Sequence, residues 1–144
     1  MSIAETENEI VEEFSIFEQW DDKYQYIIDM GKSLPAMDEN FKTEDRLIKG
    51  CQSRVWLHTQ LIPGETGSKI IYHADSDAII TKGLVALMVR VLSDHSPKEI
   101  VDAQLTFINR IGLAEHLSPT RANGLVSMVK QMKMDAFAMQ TNSN

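Results

Sequence analysis

A single cysteine constrains this chain more than any other residue. Cys51 is the only thiol in 144 residues. One thiol makes no internal disulfide, holds no zinc ion by itself and cradles no iron–sulfur cluster. Whatever this chain folds into must therefore be held by an ordinary hydrophobic core. Any chemistry at Cys51 is that of a lone nucleophile or a one-atom carrier. The composition can supply the core: 43% of residues are hydrophobic, with only 7 Gly and 4 Pro. That excludes a disordered or fibrous chain, and the length suits one domain spanning 1–144.

The formal net charge is −7, from 14 basic and 21 acidic residues. Nucleic-acid binding needs clustered Lys and Arg. The one local basic cluster is Lys42, Arg46, Lys49 and Arg54, around the cysteine. Nucleic acid is therefore not an expected partner. No apolar run approaches the length of a membrane span, so a membrane is not expected either. The first residues are acidic and amphipathic, without the positive start and apolar segment of a signal peptide. A lone free cysteine fits a reducing compartment, and the expected location is cytoplasmic.

The acidic amino terminus, 1–16, reads as a short helix. Ser2 and Glu5 have capping-box spacing, and so do Ser15 and Glu18, which places a break near Ser15. A second helix then runs to Gly31, with Phe17, Trp20, Tyr24 and Ile27/Ile28 at helical spacing. Residues 32–45 read as a loop. Val55 to Ile62 alternates, Pro63 to Ser68 is turn chemistry, and Lys69 to Ala74 returns as a second strand, which predicts an antiparallel hairpin. Arg46 to Lys49 is expected as a short third strand. Cys51 would then sit in a loop feeding the hairpin, the kind of place where reactive groups sit on a rigid scaffold.

The second half is helical. Asp75-Ser76-Asp77 offers N-cap residues for a helix to about Leu92, apolar almost all round and so expected at the centre. Ser96-Pro97-Lys98-Glu99 combines an N-cap, a first-turn proline and a capping-box glutamate. Ser118-Pro119 starts a last helix with Leu125, Met128, Val129, Met132 and Ala136 on one stripe. Its methionines (Met128, Met132, Met134, Met139) read as core and surface filler rather than a partner groove. Thr141 to Asn144 is a polar end. The fold class is α+β, a small antiparallel sheet packed against helices.

A free thiol has a pKa of about 8.5 and is only slightly ionised near neutrality. Arg46, Lys49 and Arg54 are placed to lower that value. Gly50 allows a tight turn, and Gln52 and Ser53 can hydrogen-bond a sulfur anion. The competing reading is a buried, inert cysteine. The polar setting Lys-Gly-Cys-Gln-Ser-Arg favours function. His58, His73, His95 and His116 carry no protease signature and no zinc spacing, and no phosphate-binding glycine loop appears. No metal or cofactor is expected. Asp75 and Asp77 could be acids or ligands but read more simply as helix caps. Arg121 lies at the unfavourable end of a helix dipole, so it either has a partner such as Asp75 or a bound anion or stands exposed to solvent.

Together these strings resemble a known family. Gly50-Cys51-Gln52-Ser53-Arg54-Val55-Trp56-Leu57, then Ala74-Asp75-Ser76-Asp77-Ala78, Lys82-Gly83-Leu84, Gly112-Leu113 and Leu117-Ser118-Pro119-Thr120-Arg121-Ala122-Asn123-Gly124-Leu125 are similar to the SufE family, including its CsdE branch. Trp20, Tyr24, Ile27, Gly31-Lys32 and Leu34-Pro35 fit the same order. The resemblance covers about Phe14 to Lys133. It implies an α+β fold like that of the IscU scaffold. It also implies a sulfur acceptor that takes sulfane sulfur from a pyridoxal-phosphate cysteine desulfurase, SufS- or CsdA-like, and raises its turnover. The sulfur then passes to an iron–sulfur scaffold. The match carries the persulfide-acceptor role onto Cys51, with Gly50, Gln52, Ser53, Asp75 and Arg121 in support and Lys82 at a matching position.

One cysteine suits that task. A second nearby thiol would attack a persulfide, release sulfide and close a disulfide. Val55, Trp56 and Leu57 are the apolar residues expected to shelter the persulfide. The alternatives are a regulatory binding module with a structural Cys51, a CsdE-type carrier to another acceptor, or a thiol hydrolase or redox sensor. The last needs a base that the sequence does not show.

Overall fold

The hairpin forms as expected and sets the frame for everything else. In the computed structural model, which describes residues 1–142, β1 (Val55–Ile62) and β2 (Lys69–Ser76) pair antiparallel from Val55↔Ser76 to Ile62↔Lys69. One face is inward: Val55 and Leu57 alternate with half-buried neighbours, and Ile70, Tyr72, Ala74 and Ser76 do the same on β2. That is the period of two that buries one side of a sheet. The far edge of β2 is partly covered by the backbone of Asp94 and His95, through Ile70 N–H to His95 O at 2.8 Å and Asp94 N–H to Ile70 O at 2.7 Å.

Helix α1 (Ile3–Ser15) starts with the expected capping box of Ser2 and Glu5. Ser15 does not open a second one. It is the last residue of α1, and its hydroxyl donates to Glu12 O at 2.6 Å. Helix α2 (Trp20–Lys32) follows from Gln19, which makes no side-chain cap bond. The loop after it holds two short 3-10 turns, Glu39–Phe41 and Glu44–Arg46. The third strand expected at Arg46 to Lys49 is reduced to one isolated bridge, Leu47 to Trp56.

Helix α3 (Ile79–Leu92) is the centre of the molecule, with Leu84, Leu87, Met88, Val91 and Leu92 fully enclosed. It does not start on Asp75-Ser76-Asp77. Those residues continue β2 and the link beyond it, and Ala78 is the N-cap, without a side-chain bond. Helix α4 (Pro97–Asp102) has the expected proline and capping box. Two one-turn helices, α5 (Phe107–Arg110) and α6 (Leu113–His116), lead into α7 (Pro119–Asn142). Helix α7 runs into the polar end expected at 141–144, and residues 143–144 lie outside the described ones. Its predicted stripe is inward: Leu125, Met128, Met132 and Ala136 are buried and Val129 is half-buried. The architecture is α+β. Among the described residues, no helix is long and apolar enough to cross a membrane.

Helices α2 and α3 cross at glycines. A Cβ on Gly83 would lie 2.2 Å from the Ile27 carbonyl oxygen, and one on Gly31 would lie 2.8 Å from Gly83 N. Both neighbours are backbone, so neither can step aside. This close crossing fixes the first turns of α3, which carry one wall of the site described next.

Candidate functional site around Cys51

The loop from Ile48 to Arg54 is pinned at both ends. Ile48 N–H donates to Val55 O at 2.8 Å. Arg54 N–H donates to Asp77 Oδ1 at 3.0 Å, and Asp77 N–H returns a bond to Arg54 O at 3.3 Å. Between these ties Gly50 has φ +91°, and a Cβ there would come within 2.4 Å of Ser127 Oγ. The positive φ favours glycine, and any added Cβ would also force the Ser127 hydroxyl aside. The turn that Gly50 permits brings Cys51 against α7.

Cys51 is half-buried, and its Sγ–H donates to Gly124 O at 3.5 Å. The sulfur borders a cavity of about 250 Å³. Loop residues Gln52 and Ser53 form one side, Thr81 and Leu84 of α3 the floor, and Arg121, Gly124 and Met128 of α7 the other side. Ser118 and Thr120 complete the rim. Ser118 Oγ also accepts the Arg121 N–H at 3.3 Å, as the predicted start of this helix requires.

Burial pushes the Cys51 thiol above its ordinary range, and no nearby charge pulls it back. The basic residues expected to activate it do not. Arg46 donates to His58 Nδ1 at 3.1 Å and to Thr43 Oγ1 at 2.9 Å. Arg46 and Lys49 line a different cleft, with His58 and Asp135. Arg54 takes part through its backbone. Nor do Val55, Trp56 and Leu57 enclose the sulfur: the apolar wall is Leu84 and Met128. No histidine borders the cavity. His116 stacks on Trp20 with ring centroids 3.9 Å apart, and His58 stacks on Phe41 at 3.8 Å.

Asp75 is apart from Cys51. It lies on β2 opposite Trp56 and accepts Lys42 Nζ at 2.9 Å and Lys82 Nζ at 3.3 Å. Burial raises its carboxyl pKa, but the Lys42 bond, the Ser76 N–H and the two ammonium charges outweigh that and hold it below the usual range. The suggested Asp75–Arg121 pair is therefore absent. Asp75 instead straps the 39–46 segment onto the hairpin, with Lys42 also 5.5 Å over the Trp56 ring. Among the described residues Arg121 has no ion-pair partner, and it is the one charged side chain bordering the cavity.

Thr81 is a cavity residue that sequence reasoning does not name, and Leu84, Gly124 and Met128 enter there only within family strings or on a core stripe, not as site residues. Their membership depends on helix register and on two helices meeting one loop. The interruption of an apolar run by Thr81 is the only local hint.

Comparisons with known proteins bear on the family and the fold. The family model SufE, a Fe-S metabolism associated domain, matches residues 8–136. An uncharacterized SufE-like protein of Rhizobium meliloti is 39% identical over 131 residues, covering 90% of this chain and 93% of that protein. The SufE-like protein 1, chloroplastic/mitochondrial, of Arabidopsis thaliana is 36% identical over 132 residues, covering 92% of this chain and 35% of that one. A hypothetical protein from Thermus thermophilus, solved in solution, superposes with a TM-score of 0.76 at 18% identity, covering 94% of this chain and 96% of that one. At that identity it speaks for the fold alone.

Proposed function

The chain belongs to the SufE family, of iron–sulfur metabolism, and on that premise we propose that it is a sulfur carrier acting with a cysteine desulfurase. Cys51 is the acceptor. Its thiolate attacks the terminal sulfur of the desulfurase persulfide, the S–S bond of that persulfide breaks, and the desulfurase thiolate leaves with the electron pair. The new S–S bond is on Cys51. One proton is lost from Cys51 and one is taken up by the departing thiolate, so no outside oxidant or reductant is needed.

The observation that supports this reading best is the space beyond the sulfur. A structural cysteine would be packed in on all sides. Cys51 instead borders a cavity of about 250 Å³ with an unpaired guanidinium on its wall. A second sulfur fits there, and Arg121 faces the charge it would carry. At rest the thiol is protonated and tied to Gly124 O. The incoming partner must therefore break that bond before transfer, and this protects the thiol from stray oxidants between turnovers. The partner is a pyridoxal-phosphate desulfurase and the recipient an iron–sulfur scaffold, in a reducing cytoplasm.

The test is transfer itself. The protein is mixed with the desulfurase of its own organism and cysteine carrying labelled sulfur, then read by non-reducing mass spectrometry. One extra sulfur on Cys51, lost on reduction and absent from Cys51→Ser, supports the carrier reading. Stimulation of the desulfurase by Cys51→Ser with no label on the wild type would replace it with a purely regulatory module.

A further inference from the structure

Thr81 is the unexplained polar residue of this site. It is 7% exposed, in the first turn of the helix that forms the core. A helical threonine ordinarily satisfies its hydroxyl on the carbonyl one turn back. Thr81 makes no such bond, and its hydroxyl has no hydrogen-bond partner among the described residues. Every fully enclosed side-chain nitrogen or oxygen among them does have a partner. The Thr81 hydroxyl must therefore reach open space, and the open space its side chain borders is the Cys51 cavity. The other uncommitted polar groups of that cavity differ: Gln52 and Thr120 are exposed and Ser53 is half-buried, so bulk water serves them.

A hydroxyl that opens only onto a cavity is met by whatever fills that cavity, water at rest or the group held there in the working state. The resting thiol does not fill this role: Sγ–H donates to Gly124 O, and among the described residues no hydrogen bond joins Thr81 to the sulfur. A persulfide is different. It is a stronger acid than the parent thiol, so its terminal sulfur is an anion near neutrality, one bond further from the chain than Sγ. That atom needs donors, and beyond Sγ lies the space that Thr81 borders.

We propose that the Thr81 hydroxyl donates a hydrogen bond to the terminal sulfur of the loaded Cys51, making it a positioning residue for the persulfide. This rests on the carrier reading above. The bond holds the persulfide in its anionic form, which is a poor electrophile. A small thiol attacks the neutral form, breaking its S–S bond and carrying off or releasing the outer sulfur. Thr81 thus slows loss of cargo to cellular thiols. Arg121, the one charged residue bordering the cavity, adds charge from the opposite wall but is exposed to salt and water. Thr81 is only 7% exposed, so bulk solvent screens its bond to an anion less than it screens Arg121.

The test loads the protein chemically with inorganic polysulfide, so that the desulfurase is bypassed. Loss of the extra sulfur to dithiothreitol is followed by mass spectrometry from pH 5 to 9 in wild type, Thr81→Val and Thr81→Ser. We expect Thr81→Val to lose sulfur roughly tenfold faster at pH 7, with the inflection of its pH profile moved upward, and Thr81→Ser to stay close to wild type. Alkylation of the unloaded thiol should be the same in all three. Equal lifetimes in wild type and Thr81→Val would overturn the proposal. So would an equal change in alkylation of the unloaded thiol, which would make Thr81 mere packing. Thr81→Ala replaces the valine variant if that one fails to show a native melting transition. Failure of desulfurase transfer would sink the carrier reading but leave this lifetime comparison intact.

Discussion

At the scale of single residues, Cys51 was legible because everything that marks it is contiguous: a glycine before it, an amide and a hydroxyl after it. Its ionisation was not. Flanking lysine and arginine suggested an activated thiol, yet side-chain direction decides the matter, and Arg46 is turned toward His58. Burial alone acts on the sulfur. The rate of alkylation of Cys51 against pH should therefore show an inflection above the ordinary thiol value of about 8.5. An inflection at or below that value would contradict the resting geometry. Gly50 makes a second prediction at this scale. With φ +91° and Ser127 Oγ 2.4 Å from any added Cβ, Gly50→Ala strains the loop from two directions. We expect a loss of about 1–3 kcal/mol in denaturant unfolding and a larger drop in sulfur acceptance, since the loop that aims Cys51 is what moves. If Gly50→Ala accepted sulfur at the wild-type rate, Gly50 would not be positioning Cys51.

At the scale of elements, the hairpin and the helices with strong start signals were readable, and the misread boundaries share one cause. Asp75-Ser76-Asp77 has the chemistry of a helix cap, but the ladder with β1 extends to Ser76, and strand pairing outweighed local capping. Capping signals are local, whereas a register is set by a partner far along the chain. The consequence is functional. Placed on a strand, Asp75 reaches Lys42 and Lys82 and straps down the segment that leads to the Cys51 loop. Because its folded pKa is lowered, this strap contributes fully above the ordinary aspartate value of about 3.9 and is lost as pH falls through the folded value. Asp75→Asn should lower Tm at pH 7, and the gap from wild type should narrow as pH falls below the usual aspartate range. A gap that does not narrow at all on the acid side would show that packing, not charge, is responsible. The glycine crossing gives a harsher outcome. Gly83→Ala drives a methyl into the Ile27 carbonyl, so α2 and α3 must separate. Loss of several kcal/mol, or failure to fold, is expected, measured by circular dichroism and urea unfolding.

At the scale of the whole molecule, the acidic amino terminus carries the lesson. As sequence, it reads only as a short, acidic, amphipathic helix. In the fold several of its carboxylates are structural. Glu7 is 5% exposed and accepts the Phe107 N–H at 3.2 Å. Glu9 and Glu13 clamp Arg90 of α3, at 2.5 Å and 2.6 Å to Nη2, and Glu13 also accepts the Tyr26 hydroxyl. These partners lie far along the chain (Arg90 is 77 residues from Glu13), so no local pattern could name them. The clamp and the buried Ile10 and Phe14 fasten α1 to the core, and α3 in turn carries Thr81 and Leu84 to the cavity. Arg90→Met removes the cation and leaves two carboxylates facing apolar surface. We expect a loss of about 1–3 kcal/mol, with little change in sulfur acceptance by the folded fraction. The pH dependence has a definite sign. The Arg90 hydrogen bond, opposed by burial and helped by Tyr26, holds Glu13 below the usual glutamate range. Its contribution is therefore present above about pH 4.3 and is lost as pH falls through the lowered value. In Arg90→Met that acid-side decline should flatten, because the unpaired Glu13 no longer releases its proton more readily folded than unfolded. Tm measured from pH 2 to 7 in both proteins decides it: parallel curves would mean that α1 is held by its apolar face alone.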